Sequence, residues 1–346
     1  MIRGRTRPWR YVPATELDGE AHVVVDGAPR PGTVLTLSHW PGTPTPRALW
    51  ADTSAEIVLA ALGNRSRALP RDAEVATVDH YDADGVIALA MLVIDGVATA
   101  HGPRLAAAAR AGDFDVIEDP ADALVAFALG ALSSGGPAPT GTDRRPDATA
   151  RAVWSALEHL PGLLSRPEQF EELWGPEHRA YQAALDLKAS GEVTIEEHPQ
   201  VDLAVARVDE DAPALDAAGW KGSAVHPAVV HSATCCLRVA TLVGRRYSLR
   251  YRYESWVRLV SRTPQPRVDL SGLADRLTSA ETDGGQWWFE GAGAITPALA
   301  RRDGAESTLA PEEFIAAVSE VLAVLDEGPP AWDPYVLHPG ASGVTG

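Results

Sequence analysis

The chain has 346 residues, a formal net charge of -17 and a hydrophobic content of 45%. This length and composition predict two domains of ordinary size and exclude a largely disordered chain. An acidic surface repels phosphate backbones, so duplex nucleic acid is excluded as a main partner.

The cysteine content and the lengths of the apolar runs indicate the cellular compartment of the protein. Its only cysteines are the adjacent Cys235 and Cys236. Vicinal cysteines rarely pair with each other, so a reducing compartment is expected. The basic N-terminus lacks the apolar core of a signal peptide, and no apolar run reaches the roughly 18 residues of a membrane span. We therefore expect a cytoplasmic protein with no membrane partner.

The first half of the sequence alternates short β-branched runs with helical patterns. Predicted strands cover residues 21–26, 33–38 and 74–78, and predicted helices cover residues 53–62, 103–111, 121–132, 148–165 and 167–190. A further apolar helix is predicted from Val86 onward. Strands that alternate with helices favour a parallel sheet. We predict the α/β class, with an N-terminal domain of residues 1–195 whose parallel sheet carries helices on both faces.

The pattern of predicted strands and helices changes in the second half of the sequence. Predicted strands cover residues 193–198, 201–208, 228–243, 247–253, 256–259 and 286–289, and predicted helices cover 268–278 and 311–326. Runs of strands set apart from helices are typical of the α+β class. We predict a smaller α+β C-terminal domain over residues 196–346.

The clearest chemical motif is the segment Val-Asp-His-Tyr-Asp-Ala-Asp-Gly, which lies between a predicted strand and a predicted helix. His80, Asp82 and Asp84 lie at alternate positions, and on an extended or turning backbone their side chains can point to one side. Converging carboxylates repel each other unless a cation lies between them. The alternative is a solvated acidic turn with an aspartate that caps the helix. The metal interpretation makes His80, Asp82 and Asp84 both the metal ligands and the catalytic residues.

Two more residues are candidate ligands of the same metal. His39 follows a predicted strand, just before Trp-Pro-Gly, and an exposed loop histidine is the alternative. Asp113 follows a predicted helix, where an ordinary turn after the helix end is the alternative. Oxygen-rich sites with histidine suit Mn²⁺ best, with Mg²⁺, Fe and Zn²⁺ as other choices.

A basic segment from Arg245 to Arg267 stands out in this acidic chain. Arg250 and Arg252 share one face of a predicted strand and are candidate substrate-binding residues. Guanidinium groups bind phosphate and carboxylate oxygens well. His231 is a further candidate contact to substrate. The alternative is an ordinary sheet with one buried and one solvated face.

Residues 80–85 resemble motif I of the DHH phosphoesterase superfamily, in which a strand ends in His-x-Asp-x-Asp-Gly before an apolar helix. The segment Val-Asp-Leu-Ser-Gly-Leu-Ala at residues 268–274 resembles the helix start of DHHA1, the usual C-terminal domain of that superfamily. Gly284 and Gly285 look like part of its glycine-rich substrate loop. The chain also looks like an uncharacterised actinobacterial family of unknown function, with His-Trp-Pro-Gly and His-x-Asp-x-Asp-Gly segments.

The DHH resemblance implies a hydrolase of phosphoesters that uses a pair of Mn²⁺ ions. The substrate would be small and phosphorylated or otherwise anionic, and it would bind in a cleft between the domains. The Asp-His-His triplet that names the superfamily is not found in the sequence. Two alternatives therefore stay open, namely a catalytically degenerate nucleotide-binding protein and a mononuclear Mn or Fe enzyme of other chemistry. The sequence does not decide whether the chain forms a homodimer.

Overall fold

The computed structural model of the protein describes residues 9–63, 68–133, 147–210 and 225–336. Over these ranges the chain divides into two compact units. The N-terminal unit extends to His178 and also includes Arg258–Arg262, whereas the C-terminal unit comprises Arg179–Val257 and Thr263–Val336. Both units contain helices and a sheet, which confirms the predicted α/β class.

The N-terminal unit is built around a small parallel sheet. Its strands are β1 (Arg10–Tyr11), β2 (His22–Val25), β3 (Thr33–Leu37) and β4 (Val75–Thr77). They lie in the order β1-β4-β2-β3, and every pair is parallel. All residues of β2 and β4 are buried, as expected for a parallel sheet covered by helices.

Within the described ranges, one α-helix lies between β3 and β4 and five more come after β4, before the strand that begins at Val193. They are α1 (Ser54–Leu62), α2 (Ala83–Val93), α3 (Val97–Asp113), α4 (Pro120–Leu132), α5 (Ala148–Ser165) and α6 (Glu171–Ser190). The last of these, α6, crosses the boundary between the two units. The predicted helix positions agree with these bounds except at three starts. The helix α2 begins before Val86, α3 begins earlier and continues through Pro103, and residues 167–170 form a 3-10 helix ahead of α6.

Local capping determines where α1 and α2 begin. Thr53 and Glu56 form a capping box at the start of α1, in which each side chain accepts a hydrogen bond from the backbone N–H of the other. Asp82 caps α2 by accepting from the N–H of Gly85. Every residue of α2 from Ala83 to Leu92 is buried, so this helix is the central element of the core.

The C-terminal unit contains a mixed sheet. Its strands are β5 (Val193–His198), β6 (Leu203–Val208), β7 (Arg238–Val243), β8 (Arg246–Tyr251), β9 (Trp287–Phe289) and β10 (Ala298–Arg301), in the order β5-β6-β7-β8-β10-β9. Among the described strands of this sheet, β6 and β7 form the only parallel pair. The helices are α7 (Pro227–His231), α8 (Ser271–Ala280) and α9 (Pro311–Leu325).

Two strand predictions for the second half of the sequence are wrong. The strand predicted from residue 228 begins only at Arg238, because a helix starts at Pro227, a residue suited to a first helical turn. The strand predicted over residues 256–259 is irregular, since the N–H of Arg258 donates to the carbonyl of His39 instead of to a sheet ladder. None of the helices within the described ranges combines the length and apolar character that a membrane span requires.

Candidate metal centre

Acidic and histidine residues follow three adjacent parallel strands. Asp26 comes directly after β2, His39 follows β3, and His80 follows β4. Because β4, β2 and β3 are neighbours, these residues meet at the carboxyl edge of the sheet, where parallel α/β sheets bind ligands. Asp26 adopts a left-handed backbone with φ of 45°, a conformation that aspartate adopts more readily than most residues.

One group of potential ligands is fully buried. Asp26, His39 and Asp84 each offer one ligand atom, and these atoms lie within 4.8 Å of one another. The Nε2 atom of His39 is 3.5 Å from Oδ1 of Asp26 and 3.9 Å from Oδ2 of Asp84. These separations exceed normal hydrogen bonds and suit atoms that are each bonded to one ion at about 2.0–2.2 Å.

A second group shares Asp26 and is more open to solvent. It consists of Asp26, His80 and Asp82, again within 4.8 Å of one another. The Nε2 atom of His80 lies 2.7 Å from Oδ2 of Asp82 and 3.3 Å from Oδ2 of Asp26. The side chains of His80 and Asp82 are 32% and 33% exposed, so this group forms the accessible side of the cluster.

Asp113 completes the cluster from the end of α3. Its Oδ2 atom is 3.5 Å from Nε2 of His39. The structure therefore brings together all five predicted metal ligands, His39, His80, Asp82, Asp84 and Asp113, and adds Asp26. These six residues are called the Asp/His cluster below. The cluster shows where a divalent metal can bind, and the identity of that metal stays a prediction.

Residues 80, 82 and 84 lie on a turning backbone and not on an extended one, because α2 already begins at Ala83. Asp82 holds the helix start with Oδ1, which accepts from the N–H of Gly85 at 2.7 Å, and presents Oδ2 to His80. Asp84 instead points to the first turn of α1. Its two carboxylate oxygens accept from the N–H groups of Ser54 at 2.6 Å and Ala55 at 2.8 Å. The helix start favours the negative charge there.

The outer nitrogen of each histidine also has a partner. Nδ1 of His39 lies 2.7 Å from the carbonyl oxygen of Asp52. A carbonyl only accepts hydrogen bonds, so this nitrogen carries the proton and the Nε2 lone pair faces the carboxylates. Nδ1 of His80 lies 3.1 Å from Asp79, whose other oxygen is 3.2 Å from Arg30. Such contacts are typical of metal-binding histidines.

The protonation of the cluster reflects burial and mutual repulsion. Burial, followed by the charges of neighbouring aspartates, raises the pKa of Asp84 and of Asp113 well above the usual range. Burial lowers the pKa of His39. Burial would also lower the pKa of His80, but the charge of Asp82 and contacts with Asp26 and Asp79 raise it overall. The same His80 charge outweighs burial at Asp82 and lowers its pKa.

Two buried oxygen atoms test whether a cation fits this cluster. Among the described residues, Oδ2 of Asp26 and Oδ2 of Asp113 have no hydrogen-bond partner. Buried carboxylate oxygens without partners are costly, and a metal ion would satisfy them. Four carboxylates and two imidazoles also form a donor set that suits Mn²⁺, Fe or Zn²⁺. The residues present therefore fit a divalent cation.

The structure places the predicted substrate-binding residues in the C-terminal unit. Arg252 is buried, forms an ion pair with Glu254 at 2.5 Å and donates to the carbonyl of Thr234. Arg250 is half-buried and donates to the carbonyl of Thr296. The carbonyl of His231 also accepts from Arg252. These contacts hold the unit together, and substrate binding by these residues stays a prediction.

The predicted glycine-rich loop has specific roles in this unit. Gly284 has a φ of 79°, a left-handed conformation that favours glycine. Gly285 packs against the guanidinium of Arg301, where an added Cβ would collide with it. Arg301 is in turn paired with Asp283 at 3.1 Å and Asp303 at 2.8 Å. The need for glycine at residue 285 is thus explained by packing within the unit.

Asp26 is the cluster residue that the sequence did not single out as a ligand. It was predicted as the last residue of a strand. Its position is the signal that could have identified it, because it is an aspartate directly after an otherwise apolar run, His-Val-Val-Val-Asp. His39 and His80 likewise follow predicted strands.

The family model that matches this chain has the description "family of unknown function (DUF6687)". The match covers residues 7–335, so the chain belongs to this family. This confirms the prediction of an uncharacterised family, whereas the actinobacterial source and the relationship to the DHH superfamily stay predictions. No curated protein matches the chain.

Proposed function

We propose that the protein is a metal-dependent hydrolase of phosphoester substrates and that it uses Mn²⁺. One observation carries the proposal. Asp26 belongs to two ligand groups at once, with Oδ1 facing His39 and Oδ2 facing His80. A carboxylate shared between two sets of ligands is the arrangement that a pair of ions needs, and paired ions are typical of enzymes that cleave phosphoesters.

The Asp/His cluster has a buried side and a partly exposed side. Asp26, His39, Asp84 and Asp113 are buried and exclude water from their side of the cluster. His80 and Asp82 are partly exposed, so the substrate approaches from their side. A bound metal ion supplies Lewis acidity and lowers the pKa of water that it coordinates.

The resemblance of residues 80–85 to DHH motif I supports the same chemistry. The missing Asp-His-His triplet had left too few ligands for two ions. Asp26, His39 and Asp113 offer additional donor atoms from other elements of the same unit, which supports the proposal. The resemblance and the cluster thus support one proposal, a two-ion site for a small phosphorylated substrate.

Metal content and hydrolysis test the proposal together. The protein is produced with Mn²⁺, its metal content is measured by mass spectrometry, and hydrolysis of bis-p-nitrophenyl phosphate, dinucleotides and pyrophosphate is assayed. We expect about two ions per chain and hydrolysis that a chelator abolishes. Asp26→Asn should lose both ions, whereas Asp82→Asn should lose the ion of the open group. Asp119→Asn is the matched control, because Asp119 only caps α4.

Three other outcomes would contradict the proposal in different ways. A wild-type chain that binds no divalent metal would reject the metal centre itself. Nucleotide binding without turnover would favour the degenerate binding protein. A single iron ion per chain with no phosphoester hydrolysis would favour the mononuclear enzyme of other chemistry.

A further inference from the structure

The segment 258–261 belongs to the N-terminal unit although it is far along the chain, and it packs on the loop that carries His39. The N–H of Arg258 donates to the carbonyl of His39 at 3.1 Å. The guanidinium of Arg258 donates to the carbonyl of Ser38 at 3.2 Å and to Oγ1 of Thr43 at 2.7 Å. The backbone on both sides of His39 is therefore held in place.

The same segment also holds Asp52. Oδ1 of Asp52 accepts from the N–H groups of Val260 at 2.6 Å and Ser261 at 2.9 Å, residues 208 and 209 positions away in sequence. The backbone carbonyl of Asp52 is the partner of Nδ1 of His39 at 2.7 Å. Asp52 thus links the segment to the imidazole, with its carboxylate on one side and its carbonyl on the other.

Helix capping does not account for this use of Asp52. The start of α1 is already capped by Thr53 and Glu56, which bond to each other's backbone N–H groups. The carboxylate of Asp52 instead satisfies two backbone N–H groups of a segment that forms no strand or helix. The α1 cap holds the Asp52–Thr53 peptide through the N–H of Thr53, and the Asp52 carboxylate ties the same residue to the segment 258–261.

We infer that Asp52 is a positioning residue for His39, fixing its ring so that Nε2 faces Asp26, Asp84 and Asp113. The inference rests on the proposed metal-dependent function, since it assigns Asp52 a role in metal affinity. Hydrogen bonds to the outer nitrogen fix the tautomer and orientation of a metal-binding histidine. In this protein the segment 258–261 holds the Asp52 carboxylate and thereby positions the Asp52 carbonyl.

The test compares three variants. Asp52→Ala removes the acceptor, whereas Asp52→Asn keeps an oxygen that can accept both N–H groups and should restore the wild-type behaviour. Asp269→Ala is the matched control, because Oδ1 of Asp269 also accepts two hydrogen bonds, both from Ser271, in the other unit. If Asp52→Ala does not fold, Asp52→Ser replaces it, since the shorter hydroxyl cannot reach both donors.

Two readouts separate positioning from general stability. Long-range proton–nitrogen NMR of the metal-free protein, with His39 assigned through His39→Gln, should show Nδ1 protonated in the wild type and a mixture of tautomers in Asp52→Ala. Calorimetry with Mn²⁺ should show affinity about 10- to 100-fold weaker in Asp52→Ala. Asp52→Asn and Asp269→Ala should match the wild type in both measurements.

An unchanged tautomer and unchanged Mn²⁺ affinity in Asp52→Ala would overturn the inference, and so would a failure of Asp52→Asn to restore them. The NMR readout needs no metal. A wild-type protein that binds no Mn²⁺ would therefore reject the proposed function, while the tautomer would still decide whether Asp52 positions His39.

Discussion

Asp113 illustrates how a buried acid can weaken the metal-free fold and still help the site. Its pKa is raised well above the usual range by burial and by the charges of Asp84, Asp82 and Asp26. Among the described residues, its Oδ2 atom has no hydrogen-bond partner. The residue is therefore best explained by a ligand that the neighbouring carboxylates attract as well.

Replacing Asp113 by asparagine should separate stability from metal binding. Asp113→Asn removes the cost of keeping a buried carboxyl group protonated above its ordinary pKa, so the metal-free protein should gain about 1 kcal/mol, or roughly 2–4 °C in Tm. The same change removes a donor oxygen, so Mn²⁺ affinity should fall. Thermal unfolding with and without Mn²⁺ measures both effects. A less stable metal-free protein with unchanged Mn²⁺ affinity would contradict the assignment.

The protonation of the cluster predicts that metal binding depends on pH. Raised pKa values at Asp84, Asp113 and His80 mean that the metal-free fold keeps protons there. Metal binding must release them, so Mn²⁺ affinity should rise as pH rises. Calorimetry in buffers of different ionisation enthalpy counts the protons released. A flat affinity from about pH 6 to 8 with no proton release would contradict this prediction.

The same pKa shifts determine whether the folding stability of the metal-free protein rises or falls with pH. The folded metal-free protein holds protons on Asp84 and Asp113 above the ordinary carboxyl pKa of 3.8, whereas the unfolded chain has lost them. Stability from these two groups is therefore present at acid pH and declines as pH rises through their raised folded-state pKa values. Metal binding should reverse that decline, because the carboxylates are then neutralised by the ion.

Among the elements, α2 shows how a helix start can be shaped by a site. A Cβ on Gly85 would lie 3.0 Å from Oδ1 of Asp82, 3.0 Å from Val78 and 3.2 Å from Oδ2 of Asp26. These separations are shorter than ordinary carbon contacts. Because glycine has no Cβ, the start of α2 can approach two carboxylates of the cluster. This close packing, and not helix propensity, explains the glycine at residue 85.

A pair of glycine substitutions isolates this effect. Gly85→Ala should push Asp26 and Asp82 apart and lower Mn²⁺ affinity at least tenfold. Gly130→Ala is the matched control, because Gly130 lies within α4 with nothing within 4 Å of its added Cβ. It should stabilise the protein by about 0.5–1 kcal/mol without changing Mn²⁺ affinity. Calorimetry and thermal unfolding of both variants check this. Equal Mn²⁺ affinity in the two variants would contradict this prediction, because it would show that the start of α2 accommodates a Cβ at residue 85.

At the scale of the whole molecule, the cluster belongs to one of two compact units. All six of its residues lie in the N-terminal unit, contributed by the ends of β2, β3 and β4 and by α2 and α3. A ligand that binds only the folded state stabilises the elements that hold it. Metal should therefore act mainly on this unit.

Hydrogen exchange followed by mass spectrometry tests where the metal acts. With Mn²⁺ at about 100 times its Kd, the linked stabilisation is about 2.7 kcal/mol. Slower exchange should appear at the starts of α1 and α2 and at the segment after β2. The strands β5–β8 of the C-terminal unit serve as the internal control and should exchange as before. Protection that is equal in both units, or confined to the second, would contradict the assignment of the cluster.

The sequence by itself determined the elements and most of the cluster. Apolar runs predicted β2, β3 and β4 but not the two-residue strand β1, and the helical pattern over residues 53–62 agrees with α1. His39, His80, Asp82, Asp84 and Asp113 were identified from their positions at strand and helix ends. Such local patterns are readable because they depend on residues only a few positions apart.

Only the tertiary structure decided which of these residues meet and what holds them. Asp26 became part of both ligand groups because β2 lies between β4 and β3, and strand order is not written in any local pattern. Asp84 points toward α1. Residues 258 and 259, which were predicted as strand, instead belong to the irregular segment 258–261 that contacts His39 and Asp52. Contacts across some two hundred positions depend on how the whole chain packs, which explains why the site was predicted in part and its support was not.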